Sequence, residues 1–351
     1  MTARASIHAI ATAHPSFRMT RAEWLVIADA ISPATVDRRV LERLAERSGI
    51  ESRWCAAFED GHDGFYGAAE VPGTAARMRL WSRGARAISH AACTRALAGG
   101  GMRAGEVTHL VTASCTGFEA PGLDAHLIES LGLSRSVQRL HVGFMGCHAA
   151  INALAAARAI VVADPDAVVL VCCTEISSAH FHHTDRLDQL IANTLFADGA
   201  GAAIVAAARG DDPVLEATHS RLLEASAEEM GWLIGDHGFE MTLGARVPER
   251  IGASLADWVR ESLATHGLDA SRIGGWAVHP GGPRVLDTVE AVLGLDPPLL
   301  APSRGVLRDY GNMSSATLLF ILDALSRAAM PRPWIGLAFG PGLTCEMLLL
   351  R

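Results

Sequence analysis

Short, nearly continuous apolar runs recur along the chain and alternate with longer stretches rich in alanine and leucine. Residues 107–113 (VTHLVTA), 167–173 (AVVLVCC), 273–278 and 334–339 (WIGLAF) have the length and character of strands buried on both faces. Residues 74–98, 148–163, 248–266 and 313–329 have the composition and length of helices. The alternation predicts an α/β architecture, and the order of elements repeats. In the first half a strand leads into Cys115-Thr116-Gly117, and a helix opens at Gly146-Cys147, 32 residues after Cys115. That helix passes through Asp164-Pro165-Asp166 into the next strand. In the second half a strand leads into His279-Pro280-Gly281, and a helix opens at Gly311-Asn312, 33 residues after His279. Few residues are identical between the halves. The shared order still predicts a duplicated unit with two reactive loops meeting at a pseudo-dyad. The polar stretch Ala208-Arg209-Gly210-Asp211-Asp212-Pro213 is the natural seam, dividing the chain into 1–207 and 208–351.

Half of the 351 residues are apolar and 19% are charged, which fits a compact enzyme and not a disordered chain. A net charge of −8 gives no reason to expect nucleic acid, and an anionic ligand would need a local basic patch. Seven cysteines (55, 93, 115, 147, 172, 173 and 345), odd in number and without a CxxC pair, argue against a disulfide framework or zinc site. They fit a reducing, cytoplasmic compartment. The doublet His182-His183 reads as surface and not as a metal ligand. The N-terminal MTARASIHAIATAHP has no long apolar core, so no signal peptide is expected. Charges interrupt every apolar stretch before ~18 residues, so no membrane span is expected.

Cys147 follows the glycine-bearing Gly143-Phe144-Met145-Gly146 and begins a small-residue helix. A thiol there faces free N–H groups and the positive end of the helix dipole, which lower its pKa and favour a nucleophilic thiolate. A lone cysteine in this setting would more often be a packed core residue, as Cys172 and Cys173 read. Two further residues tip the balance. His279 closes a strand in His279-Pro280-Gly281-Gly282-Pro283, where an imidazole can take the proton of Cys147; turn chemistry alone would also explain it. Asn312 reads equally as a helix N-cap or as an amide donor to a developing oxyanion. Ser32-Pro33 is expected to start a helix that ends at Gly49, with Arg39, Arg43 and Arg47 forming a basic stripe on it. Glu42 and Glu46 offer the alternative of a salt-bridged solvated face, the preferred reading for Arg39.

The motifs Gly143-Phe144-Met145-Gly146-Cys147, His279-Pro280-Gly281-Gly282-Pro283, Tyr310-Gly311-Asn312-Met313-Ser314-Ser315-Ala316 and Phe339-Gly340-Pro341-Gly342-Leu343-Thr344 together resemble the chalcone and stilbene synthases, the type III polyketide synthases of the thiolase superfamily. Ala113-Ser114-Cys115-Thr116-Gly117 and Met230-Gly231-Trp232-Leu233-Ile234-Gly235-Asp236 are similar to bacterial members. The resemblance runs from about residue 35 to the C-terminus. It implies an αβαβα sandwich, a homodimer, and Cys147, His279 and Asn312 as the catalytic set. The implied reaction is decarboxylative condensation of malonyl-CoA onto an acyl-CoA starter held on Cys147, without metal or other cofactor. By the same resemblance Phe196 is a gate and Met241 replaces a second, phenylalanine gate. Cys115, Thr116, His180, Trp232 and Ser314 line the cavity, and Arg43 and Arg47 meet CoA phosphates; Arg284, just after the His279 loop, is a further CoA-binding candidate by its place in the chain. His180 stands where plant enzymes usually have threonine and Trp232 where they have glycine, so a chalcone product is not expected. Ordinary core packing is the competing explanation for Phe196, Trp232 and Met241. Trp232 and Met241 together lead instead to a narrow apolar tunnel, linear acyl starters and alkylpyrone- or alkylresorcinol-like products, while the polar ring of His180 offers the alternative of steering cyclisation or holding a shorter, more oxygenated intermediate.

Three other readings compete. A β-ketoacyl-ACP synthase III-like enzyme would use the same three residues with a carrier-protein substrate, but the residues after His279 and Asn312 favour the polyketide type. A papain-like protease shares a Cys-to-His separation of ~130–150 residues, but Cys147 lacks the Cys-Gly-Ser-Cys-Trp context. A degenerate binding subunit would not need all three reactive residues.

Overall fold

In a computed structural model, which describes residues 3–61, 64–67 and 71–351, the predicted alternation becomes two sheets with helices between and outside them. The first sheet has strand order Ala5–Ala13, Asp198–Ala207, Val169–Ile176, His109–Ser114, Gln138–Gly143. The second has order Gly275–Val278, Trp334–Gly340, Thr344–Leu350, Leu215–Leu222. Apart from Met1 and Thr2, which lie outside the described residues, the N-terminal segment supplies an edge strand of the first sheet.

The apolar runs are continuous because successive side chains feed two different cores. In Val169–Ile176, Leu170 and Cys172 join the core beneath the helix Thr74–Gly100, while Val171 and Cys173 face the interior between the sheets. In Trp334–Gly340, Ile335, Leu337 and Phe339 pack outward against the helices Val247–Ala264 and Pro283–Leu293, while Ala338 faces inward. The inner layer is the pair of helices Ala149–Ala163 and Thr317–Arg327. The chain is thus a five-layered αβαβα sandwich of the thiolase type. Close approach of the inner layer is enforced at Gly201, where an added Cβ would lie 2.6 Å from the Leu319 side chain.

One stretch, Gly146–Ala163, has the length and mean hydropathy (1.5) of a membrane span. Its apolarity has another cause, because its helix is packed between the two sheets. A sequence expectation also needs correction. Ser32 ends the helix Arg21–Ile31, and the arginine-bearing helix, Arg38–Arg47, starts at Asp37, whose carboxylate accepts the Arg39 N–H at 2.8 Å. Asp37 offers a full carboxylate to the free N–H groups of that helix, a stronger cap than the Ser-Pro pair.

Candidate active site

Each inner helix is preceded by a short 3-10 turn, and Cys147 and Asn312 lie in or just before these turns. Cys147 lies in Gly146–His148, one turn ahead of Ala149–Ala163. Gly146 has φ +80°, and a Cβ there would collide with Pro341 Cδ at 2.3 Å, so only glycine lets the turn pass so close to the second half. Its N–H donates to Cys115 Sγ at 3.0 Å. In the second half Ser314–Ala316 precedes Thr317–Arg327, with Ser314 itself at φ +47°. Asn312 Oδ1 accepts the Ser314 N–H at 2.8 Å, which leaves its amide N–H groups as the donors facing outward. Asn312 is not a helix N-cap, since Met313 and Ala316 take those positions, but its oxygen shapes the turn. Its side chain and that of Ser314 lie near enough to Cys147 to lower the thiol's pKa.

The thiol is not activated in the way its helix position predicts. Cys147 is buried (7% exposed), and burial pushes its pKa up to about 12; the Ser314 and Asn312 donors pull the other way, while the nearby Glu175 raises it further. Desolvation therefore exceeds the helix-end effect, which fades within one turn. His279 follows the strand Gly275–Val278, and its N–H donates to the Leu337 carbonyl at 2.7 Å. It is 1% exposed, and among the described residues neither ring nitrogen has a hydrogen-bond partner. Burial, with a smaller contribution from His148, lowers its pKa to about 3. His148 directly follows Cys147, and its Nδ1–H donates to Asn152 Oδ1 at 2.7 Å.

Cys147 opens onto a small cavity of about 30 Å³. Cys115, Thr116, Phe196, Trp232, Met241 and Ser314 all line it, together with Met230, Ser177 and Pro341. Trp232 and Met241 sit directly opposite one another on the hairpin Met230–Gly235/Gly238–Leu243. The indole is fixed by a 2.7 Å bond from its Nε1 to the Cys115 carbonyl, and its ring lies 6.4 Å from that of Phe196. His180 is corrected: it is not part of the wall but stacks on Phe239 at 4.3 Å, one layer out. The Phe239 N–H donates to its Nδ1 at 3.0 Å, so Nε2 carries the proton and donates to the Thr116 carbonyl at 2.7 Å. Burial lowers its pKa to about 3, and no ring nitrogen remains for a ligand.

A second, apolar cleft of about 260 Å³ leads in from the surface, lined by Leu44, Ile191, Leu195, Val247 and Gly281 among others, with Arg47 and Arg284 on its rim. Met230 borders both cleft and cavity, and Phe196 follows Leu195, so the two spaces meet at these residues. Arg43 lies one helical turn before Arg47, exposed and outside the cleft, with its Nε donating to the Arg39 carbonyl. Among the described residues none of these three arginines has a carboxylate partner, because Glu42 pairs instead with Arg38 at 3.2 Å.

Sequence reading missed Glu175. It is fully buried and accepts bonds from the Cys115 and Thr116 N–H groups and from the Ser114, Thr116 and Ser315 hydroxyls. Burial raises its pKa while these donors oppose the rise. The signal was present: a lone carboxylate inside an otherwise uncharged strand must have buried partners.

Comparison with known proteins agrees with this geometry. The family models for the N-terminal and C-terminal domains of chalcone and stilbene synthases match residues 2–209 and 215–351. The chain is 36% identical over 283 residues to the alpha-pyrone synthesis polyketide synthase-like Pks18 of Mycobacterium tuberculosis, covering 78% of this chain and 72% of that one. It is 32% identical to a 1,3,6,8-tetrahydroxynaphthalene synthase from Streptomyces peucetius, over 99% of this chain and 93% of that one. The crystal structure of PKS-I from the brown alga Ectocarpus siliculosus superposes with TM-score 0.94 at 30% identity, covering 100% and 99% of the two chains. With both halves matched and both reactive turns in place, this chain belongs to the chalcone and stilbene synthase family and is a type III polyketide synthase, an acyltransferase that performs decarboxylating condensation.

Proposed function

We propose that the enzyme loads a linear acyl group from an acyl-CoA onto Cys147, extends it with malonyl-CoA, and releases an alkylpyrone- or alkylresorcinol-like product. The observation that carries this reading is the cavity itself: Cys147 opens into a narrow space walled by Trp232, Phe196 and two methionines, Met230 and Met241. About 30 Å³ holds no extended intermediate, so substrate entry has to displace the walls. Unbranched thioether chains re-pack around a flexible apolar chain more readily than around a rigid aromatic one. The relative named for alpha-pyrone synthesis supports the same product class.

In this reading the CoA thioester enters by the apolar cleft, with its phosphates at Arg47 and Arg284 and at Arg43 beyond. His279 takes the Cys147 proton as the thiol attacks the starter thioester. Loss of CO2 from the malonyl unit leaves an enolate, whose charge is met by N–H of His279 and of the Asn312 amide. The enolate then attacks the Cys147 thioester, and the lengthened chain returns to CoA. The chemistry calls on side-chain donors and thioester substrates, with no metal or further cofactor. The molecule acts as a homodimer. Its first sheet ends in the exposed strand Gln138–Gly143, with Leu140, Phe144, Met145 and Phe118 exposed nearby, an edge that a second copy would cover. Seven free cysteines, all buried, suit a reducing cytoplasm.

Competition between hexanoyl-, dodecanoyl- and coumaroyl-CoA, with labelled malonyl-CoA and mass spectrometry of products, tests the substrate. Preference for dodecanoyl-CoA is expected. Preference for coumaroyl-CoA, or malonyl-CoA serving as its own starter, overturns it.

A further inference from the structure

We propose that Arg53 is a positioning residue, holding the Phe196 gate and the Asn312 amide in register as one unit; this rests on the reading that Asn312 donates to the enolate. Arg53 lies in the three-residue strand Ser52–Trp54 and is 2% exposed. Its Nη1 donates to two carbonyls at once, those of Asn193 and Phe196, each at 3.0 Å. Its guanidinium sits 4.5 Å over the ring of Trp24. Among the described residues no carboxylate forms an ion pair with it. A buried cation without such a partner is expensive to keep, so its anchoring role has to be specific.

That role can be read from what the two carbonyls belong to. Asn193 and Phe196 close the helix Leu187–Leu195, whose last carbonyls form the negative end of its dipole. Phe196 is also bridged to Asn312: the Asn312 N–H donates to the Leu195 carbonyl at 3.0 Å, and the Ala197 N–H donates to the Asn312 carbonyl at 2.8 Å. The gate and the oxyanion donor therefore share one hydrogen-bonded ladder, and Arg53 binds its gate side. The same short strand holds the other side. The Glu51 N–H donates to the Arg308 carbonyl at 2.8 Å, and the Ser52 hydroxyl to the Asp309 carbonyl at 2.9 Å, at the end of the helix Ala301–Tyr310 that leads into Asn312. Gly311 completes the junction at φ +73°, where an added Cβ would come within 3.0 Å of Ala197 Cβ and 3.5 Å of Arg53 Cβ. A planar fork that bonds two carbonyls while stacking on an indole is a task for arginine, and an ammonium group cannot reproduce it.

The test uses the full-length enzyme and CO2 release from malonyl-CoA, expressed per active site titrated by alkylation of Cys147. Arg53→Met is expected to lower the per-site kcat at least about tenfold, as displacement of an oxyanion donor does, with KM within about twofold. Arg53→Lys should not restore it. In an Asn312→Ala background, Arg53→Met should change the rate less than about twofold, since it acts through the group already removed. A role in folding alone predicts fewer titratable sites with normal kcat at each, and that result overturns the proposal. Multiplication of the two effects in the double variant also overturns it. Normal decarboxylation by Asn312→Ala would overturn the Asn312 assignment, a separate failure visible in that single variant. If Arg53→Met gives no folded enzyme, Trp24→Leu, which removes the stacking platform and keeps the cation, is measured against the same criteria.

Discussion

The proton balance between Cys147 and His279 is set by burial, and removing the histidine exposes its size. Burial pushes the Cys147 thiol up to about 12 and the His279 imidazole down to about 3. Each charge by itself is strongly disfavoured. In the proposed mechanism the proton of Cys147 passes to His279, and the two charges then attract. At contact range, about 4 Å, and an effective dielectric of about 20, that attraction is on the order of 4 kcal/mol, or about 3 pH units at 1.36 kcal/mol each. The two groups stand about nine units apart, so the attraction leaves the ion pair about six units above the neutral pair at every pH, while direct ionisation of the thiol falls tenfold per unit and reaches that level near about pH 6. In His279→Ala, alkylation of Cys147 by iodoacetamide, followed by peptide mapping from pH 4 to 10, is expected to climb about tenfold per pH unit without levelling. The wild-type profile should match it at high pH and level off below about pH 6, where the ion pair supplies the thiolate. Superimposable profiles would refute the coupling and leave Asn312 and Ser314 as sufficient activators of the thiol.

Asn312→Ala should lower malonyl-CoA decarboxylation by roughly 10²–10³ while leaving acylation of Cys147 less affected, as measured by CO2 release against single-turnover acyl transfer. Alanine at Arg47 or Arg284 should raise KM for CoA thioesters by roughly threefold to tenfold with kcat unchanged, and the effect should shrink at high salt as exposed charges are screened; Arg43→Ala should have the smaller effect, because it stands outside the cleft. Trp232→Ala should destabilise the fold by about 2 kcal/mol, less than a fully buried tryptophan, as read by denaturant melts. The same change should enlarge the space beside Cys147 and admit bulkier starters, which product mass spectrometry would report.

What was legible in the sequence is what depends on pattern. The strands at 107–113 and 334–339 stood out because both of their faces are buried, and the two reactive turns stood out because glycines and motif residues cluster there. What escaped depends on the partners a polar group finds across the fold. Glu175 and Arg53 are charges in short strands, and neither sequence neighbourhood reveals that one gathers five donors and the other two carbonyls. His180 failed the other way: its position implied a cavity wall, but both ring nitrogens are spent on backbone groups. The helix dipole was overestimated at Cys147 for the same reason, since desolvation is a property of the packed environment and not of local order. The errors therefore share one sign. Local sequence overstated how available each polar group would be, because burial in a five-layered fold consumes most hydrogen-bonding capacity; among the described residues only His279 has two buried side-chain atoms left unpartnered. By that criterion the unpartnered ring of His279 is the most informative polar group in the site.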